Sequence, residues 1–130
     1  MVDSSVWIDA FNGVNSRQVK GLSNILGREN IFIGDFILTE VLQGFYKDED
    51  FKEIKAALNE FPCVRLLNKE IAIKSAENYR ALRKIGITIR KTIDVFIATF
   101  CIENNFILLH NDPDFDPIEK HLGLKVFIFQ

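Results

Sequence analysis

Carboxylates stand inside or directly beside the most apolar segments of this chain, and that placement restricts the folds open to it. Asp3 follows Met1-Val2, Glu40 sits between Ile37-Leu38-Thr39 and Val41-Leu42, and Asp94 separates Ile93 from Val95-Phe96-Ile97-Ala98. Asp112 and Asp114 follow Phe106-Ile107-Leu108-Leu109. A carboxylate against a core is costly unless something compensates it. For several at once, a divalent cation is the simplest compensator. One acid per segment, with the segments far apart in sequence, suits an α/β fold, where side chains from the ends of different strands and helices meet at the carboxyl edge of a parallel sheet.

The 130 residues amount to one ordinary domain, 1–130, able to bury about two-thirds of the surface that the unfolded chain would expose. Charged residues interrupt every apolar stretch well before the roughly 20 residues needed to cross a bilayer, so no membrane span is expected. The N-terminus lacks a basic region followed by a long apolar run, so no secretory signal is expected. Cys63 and Cys101 form no paired ligand motif and read as structural thiols of a reducing compartment, which points to a cytoplasmic protein.

A formal charge of −2 argues against a general nucleic-acid coat protein. The charge is segregated, however: the stretch 65–91 holds eight Lys or Arg against two Glu. A basic region beside an acidic cluster is what an enzyme cleaving a polyanion requires.

Short apolar runs alternate with longer amphipathic ones. Strands are expected at Met1–Ser5, Ile31–Ile33, Val64–Leu67, Phe106–Leu109 and Lys125–Phe129, with Phe106–Leu109 the most apolar and therefore central. Helices are expected over Val6–Phe11, after Ser16 to Gly27, over Phe36–Lys47 after an Asp35 cap, from Asp50 to Phe61, over Lys69–Ile85, over Ile93–Glu103 after a Thr92 cap, and briefly over Pro117–His121. Ile37, Glu40, Val41 and Gly44 share one helix face, so Glu40 points with the apolar stripe. Asp94 heads the line Asp94, Ile97, Ala98, Cys101 in the first turn of its helix, where exposed N–H groups and the dipole stabilise negative charge. Strands separated by helices give a three-layer α/β/α sandwich around a mostly parallel sheet.

Ionised together without a cation, these acids would repel each other and raise one another's pKa values. Oxygen donors suit Mg²⁺, with Mn²⁺ as the alternative. Zinc is a poor match, because His110 and His121 pair with no cysteine at a ligand spacing. No nucleophile elbow, phosphate-binding glycine loop or dinucleotide fingerprint occurs, and Ser4 and Ser5 lack a His base. One of these hydroxyls is expected to orient a ligand or water while the other caps the first helix. Metal-activated water is then the economical mechanism, and a metal-dependent phosphodiesterase the leading class. Capping is the competing role for Asp3 and Asp94, and turn formation for Asp112 and Asp114. Asp9, Asp35, Asp48, Asp50 and Asp116 read as cap, turn or surface acids.

Four ordered signatures, Val2-Asp3-Ser4-Ser5-Val6-Trp7-Ile8, Thr39-Glu40-Val41-Leu42-Gln43-Gly44, Asp94-Val95-Phe96-Ile97-Ala98-Thr99 and Leu108-Leu109-His110-Asn111-Asp112-Pro113-Asp114-Phe115, resemble those of PIN-domain ribonucleases. The small size is similar to that of the VapC-type toxins of prokaryotic toxin-antitoxin pairs. The resemblance implies a PIN-like sandwich and a Mg²⁺-dependent endoribonuclease that leaves 5′-phosphate and 3′-hydroxyl ends. It assigns Asp3, Glu40 and Asp94 as principal acids and leaves the fourth open between Asp112 and Asp114, Asp112 standing nearer the strand. His110 occupies a position where such proteins often carry Thr or Ser, so Asn111 is the polar residue expected to act there. Ser4, Arg83, Arg90, Lys91 and Asn111 are the expected substrate contacts.

The same resemblance implies a homodimer silenced by a cognate antitoxin whose tail covers the acidic site. Tyr46 and Phe51 are the expected groove residues, and Phe36 and Phe45 the expected core residues. The competing class is a catalytically inactive PIN-like module that binds RNA or protein without turnover. A metal-dependent DNA nuclease or phosphatase is the third. Competition among defined RNA, DNA and small phosphate esters separates these readings.

Overall fold

A computed structural model describes residues 1–129. The expected domain boundary at residue 130 falls outside them. The described residues form seven α-helices and short parallel pairings, in two compact units. The first comprises Met1–Arg65, Leu109–Asn111 and the residues from Ile128; the second comprises Leu66–Leu108 and Asp112–Phe127.

In the first unit, β1 (Ile33–Gly34) pairs in parallel with β2 (Cys63–Val64), Ile33 opposite Cys63. Val2 makes a single parallel bridge to Leu109, held by Asp3 N donating to Leu109 O at 2.9 Å and Leu109 N donating to Met1 O at 2.9 Å. The helices are α1 (Ser4–Phe11), α2 (Arg17–Ile25), α3 (Asp35–Gln43) and α4 (Asp48–Leu58). Val2, Val6, Trp7, Ile33, Ile37, Val41, Ile54 and Leu58 form its core, with α1 packed on α2 and α3. Trp7 stacks on Phe11 and tilts against Phe61, while Phe11 meets Phe45 edge to face.

The second unit holds α5 (Lys69–Lys84), α6 (Thr92–Glu103), a 3-10 turn (Pro113–Phe115) and α7 (Asp116–Leu122). Leu108 bridges Val126 in parallel. The α6 helix is apolar nearly all round, and every residue from Asp94 to Cys101 is buried, as expected for a helix inside a core rather than upon it. It packs along α5 through Leu82, Ile97 and their neighbours, and through a buried polar pair. Asn78 Nδ2 donates to Thr99 Oγ1 at 3.0 Å, and that hydroxyl donates to Val95 O at 2.7 Å. Gly86, at φ +86°, ends α5: its N–H donates to Arg83 O, and Ile87 N–H to Leu82 O, which ties off the last turn and redirects the chain toward Arg90 and Lys91.

Every pairing among the described residues is parallel, as expected, but the strands are much shorter than their apolar runs. Met1–Ser5 contributes only the Val2 bridge because Asp3 caps α1, and Ser4 is already helical. Ile31–Ile33 pairs only from Ile33, and Val64–Leu67 is replaced by Cys63–Val64. Phe106–Leu109 and Lys125–Phe129 supply isolated bridges. Helix starts shift by one or two residues wherever a neighbour takes the capping backbone: Gly34 instead of Asp35, Lys47 so that α4 opens on Asp48 rather than Asp50, and Lys91 instead of Thr92. At their far ends, α3 stops at Gln43 rather than Lys47, and α4 at Leu58 rather than Phe61. Phe36, expected in the core, is 37% exposed, because α3 turns Ile37 and Val41 inward instead. Cys63 is exposed and Cys101 buried, both as free thiols.

Candidate metal centre

The second unit gathers three of the expected acids. Asp94, Asp112 and Asp114 each offer a carboxylate oxygen, and these oxygens all lie within 4.8 Å of one another. Asp94 reaches the cluster from the first turn of α6, buried to 5% exposure. The other two come from the loop after Leu108-Leu109. Asp112 caps the 3-10 turn there, its Oδ1 accepting from Asp114 N at 2.9 Å, which fixes the loop with both carboxylates on one side. Both Asp112 and Asp114 converge with Asp94, so the geometry does not choose between them.

Two cations border the cluster. Lys91 Nζ donates to Asp112 Oδ2 at 3.5 Å, and Arg90 Nη2 lies 3.9 Å from Asp114 Oδ1. The Lys91 ammonium is held above its ordinary pKa first by the Asp94 charge and then by Asp112, despite slight burial acting the other way. Both cations are solvent-exposed, so their pairs with the carboxylates are screened and weak. Arg83 lies elsewhere on this unit, its guanidinium carbon 5.7 Å from the Tyr79 ring centroid.

Asp3 and Glu40 belong to the first unit. Asp3 is 4% exposed and caps α1. Its Oδ2 accepts from Ser5 Oγ at 2.7 Å and from Ser5 N at 3.3 Å. Burial nevertheless raises its pKa above the ordinary 3.8, outweighing the Ser5 and Ser4 hydrogen bonds and the nearby His110. Glu40 is half-buried in the middle of α3, between the fully buried Ile37 and Val41.

One of the two serine hydroxyls orients the Asp3 carboxylate, as expected, but the helix cap is Asp3 itself and not the other serine. Ser5, rather than Ser4, orients the carboxylate, and the same Ser5 hydroxyl accepts from Asn111 N at 3.2 Å. Asn111 Nδ2 donates to Asp9 Oδ2 at 3.3 Å, so Asp9 is a positioning partner and not a bare surface acid. The i, i+2 spacing of Asp3 and Ser5 at a helix start carried that signal, since a hydroxyl there lies within reach of a capping carboxylate. Nothing in the spacing of Asp9 and Asn111 did.

With the geometry in place, comparison with known proteins is decisive. The PIN domain family matches residues 1–120. The chain belongs to the PIN-domain family. This PIN domain is 29% identical over 135 residues to the VapC ribonuclease Mb1587 of Mycobacterium bovis, an alignment covering 100% of this chain and 98% of that protein. The ribonuclease VapC11 of Mycobacterium tuberculosis H37Rv matches with the same identity and coverage. Among solved structures, VapBC2 from Rickettsia felis, bound to a DNA fragment from its promoter, superposes with a TM-score of 0.78. That match has 19% identity and covers 100% of this chain and 98% of the other. At that identity the likeness is one of fold, and it bears out the PIN-like α/β class.

The donor set fits a hard divalent cation. Three carboxylates and no His or Cys make up the cluster, and oxygen-only donors favour Mg²⁺ or Mn²⁺ over zinc or copper. No helix among the described residues is long and apolar enough to cross a membrane.

Proposed function

We propose that this PIN domain, acting as one nuclease domain over residues 1–130, is a VapC-type endoribonuclease toxin that hydrolyses RNA with Mg²⁺ or Mn²⁺. The observation that carries this is the convergence of Asp94, Asp112 and Asp114 oxygens within 4.8 Å in a chain of this family. Two full-length relatives named as VapC ribonucleases support it.

Asp94, Asp112 and Asp114 would hold the cation, which supplies charge neutralisation and Lewis-acid activation of water. Asp3 and Glu40 are assigned to the same acidic set by the family resemblance. Asp112 positions Asp114 through the Oδ1 hydrogen bond, so the loop's two acids keep their geometry during the reaction. Ser5 holds the Asp3 carboxylate in one orientation and anchors Asn111. Arg90 and Lys91 sit where phosphate oxygens approach the acids, and their exposure leaves them able to exchange a carboxylate for an RNA phosphate.

Its partner is a cognate antitoxin, a reading supported by the fold shared with VapBC2. Phe36, Tyr46 and Phe51 are exposed, and Phe45 lines a cavity of about 450 Å³ with Phe11, Ile54, Asp50 and Glu53, so a tail carrying apolar and basic side chains has a place to bind on the first unit. We assign the working form as a cytoplasmic homodimer.

Incubation of the purified protein with total RNA and Mg²⁺ is the test. Cleavage leaving 5′-phosphate and 3′-hydroxyl ends, lost in Asp94→Asn, supports the reading. RNA binding without turnover in either Mg²⁺ or Mn²⁺ overturns it in favour of an inactive binding module.

A further inference from the structure

On the second unit, a cavity of about 400 Å³ opens between α5 and the start of α6. Leu67, Val95 and Phe96 supply apolar wall, and Tyr79, Arg80 and Arg83 also line the cavity. The volume lies within the usual range for sites that enclose a small organic group, and it exceeds what one aliphatic side chain would fill. Ser75 forms part of the wall, and its buried hydroxyl has no hydrogen-bond partner among the described residues.

The two charged residues that line the cavity, Arg80 and Arg83, are both cations. From Arg80 to Lys91 the chain carries five Lys or Arg and no acid. That run begins at the cavity with Arg80 and Arg83, turns at Gly86, and ends with Arg90 and Lys91 on the acidic cluster. Cations along a path with an aromatic, mostly apolar recess at one end are what single-stranded nucleic acid requires: phosphates follow the charge, and an unstacked base enters the recess. An apolar protein segment would use the recess but not the two arginines that line it.

We infer that the α5–α6 cavity receives one unpaired base of the RNA, with Arg80, Arg83, Lys84 and Arg90 tracking the phosphates between that base and the acids. The inference rests on the ribonuclease reading and extends it to a binding subsite away from the cleaved bond. Tyr79 offers the stacking face, and Arg83, already placed over its ring, offers the cation that accompanies a stacked base.

Ala72 and Ala76 line the cavity from exposed helical positions, so Ala76→Leu and Ala72→Leu fill it without disturbing the core. Binding of a fluorescein-labelled, mixed-sequence, single-stranded 12-mer RNA is measured by anisotropy in EDTA, where cleavage does not intervene. Each filled variant is expected to raise the Kd about fivefold or more, the loss associated with one stacked base, with unchanged circular dichroism and melting. Arg83→Ala is expected to weaken binding as well and to reduce its salt dependence. Unchanged affinity in both folded, filled variants overturns the inference. A fall in solution mass of the filled variants without RNA also overturns it, by showing that a second copy of the chain occupies the cavity. Absence of cleavage by the wild-type protein in Mg²⁺ would remove the ribonuclease reading but leave this binding result separately readable.

Discussion

Asp94→Asn should make the metal-free protein more stable while removing its response to Mg²⁺. Asp94, Asp112 and Asp114 oxygens lie within 4.8 Å of one another, and at an effective dielectric near 20 each pair of full negative charges at that separation repels by about 3 kcal/mol. A neutral amide at position 94 relieves two of the three pairs at nearly constant shape. Opposing this, Lys91 loses the carboxylate that most raises its pKa. Lys91 is largely exposed, so the lost attraction is the smaller effect. The two relieved pairs amount to about 6 kcal/mol and the lost attraction offsets only part of it, so the net expectation in EDTA is a gain of a few kcal/mol, or a melting point higher by roughly 10 °C for a domain of this size. Wild-type protein with Mg²⁺ at about 100 times its Kd should gain about 2.7 kcal/mol, and Asp94→Asn should gain little. Differential scanning fluorimetry of both proteins, with EDTA and across a Mg²⁺ titration, measures all four states. A variant that is less stable than wild type in EDTA and still shifts with Mg²⁺ refutes the reasoning, because repulsion within the cluster and cation binding by it would both be wrong.

Thr99→Val strands the buried Asn78 amide against an apolar surface and should destabilise the protein by about 1–3 kcal/mol in urea unfolding, whereas adding Asn78→Leu should restore most of the loss. Equal or greater loss in the double variant would show that the α5–α6 pair does not act as a unit. Ser5→Ala removes the 2.7 Å donor to Asp3 and the acceptor for Asn111 N, and should destabilise by about 1.5 kcal/mol while leaving far-ultraviolet dichroism unchanged. Because burial raises the Asp3 carboxyl above 3.8, the folded protein binds the extra proton; in EDTA its stabilising contribution is fully present below pH 3.8 and is lost as pH rises through the folded pKa. The difference in urea midpoint between wild type and Asp3→Asn should follow that course, and a difference that grows in favour of wild type with rising pH would contradict it.

The acids were legible in the sequence because burial and charge conflict wherever the chain is read. Asp94 amid Ile93, Val95, Phe96 and Ile97 has few explanations, and α6, buried from Asp94 to Cys101, removes the bland ones. Strand extent was not legible. The run Phe106–Leu109 promises a full central strand, yet hydropathy reports only that residues are shielded from water, and helices shield as well as ladders do. Leu66 is fully buried although it lies outside β2, so its apolar character says nothing about strand membership. Helix starts were misplaced for a related reason. Asp3, Ser4 and Ser5 each carry an oxygen able to cap α1, and the choice falls to Asp3 because its backbone is the extended one, φ −72° and ψ 157°.

Capping and cation binding look like rival explanations for Asp3, Asp94 and Asp112, but a carboxylate has two oxygens and the fold spends them separately. Asp112 shows this most directly: Oδ1 accepts from Asp114 N and shapes the loop, while Oδ2 faces Lys91. The cap is what makes the second acid available, since without that hydrogen bond Asp114 would not be held beside Asp94. A structural role for such a residue therefore raises the case for a chemical one, because a ligand oxygen must be fixed in place by something, and the nearest rigid object is the residue's own helix or turn. Two substitutions at Asp112 separate the cap from the ligand role. Asp112→Asn keeps an Oδ1 acceptor for the cap and should retain stability while losing Mg²⁺ binding, whereas Asp112→Ala should lose both. Equal melting points for the two in EDTA would show that the cap does not organise this loop.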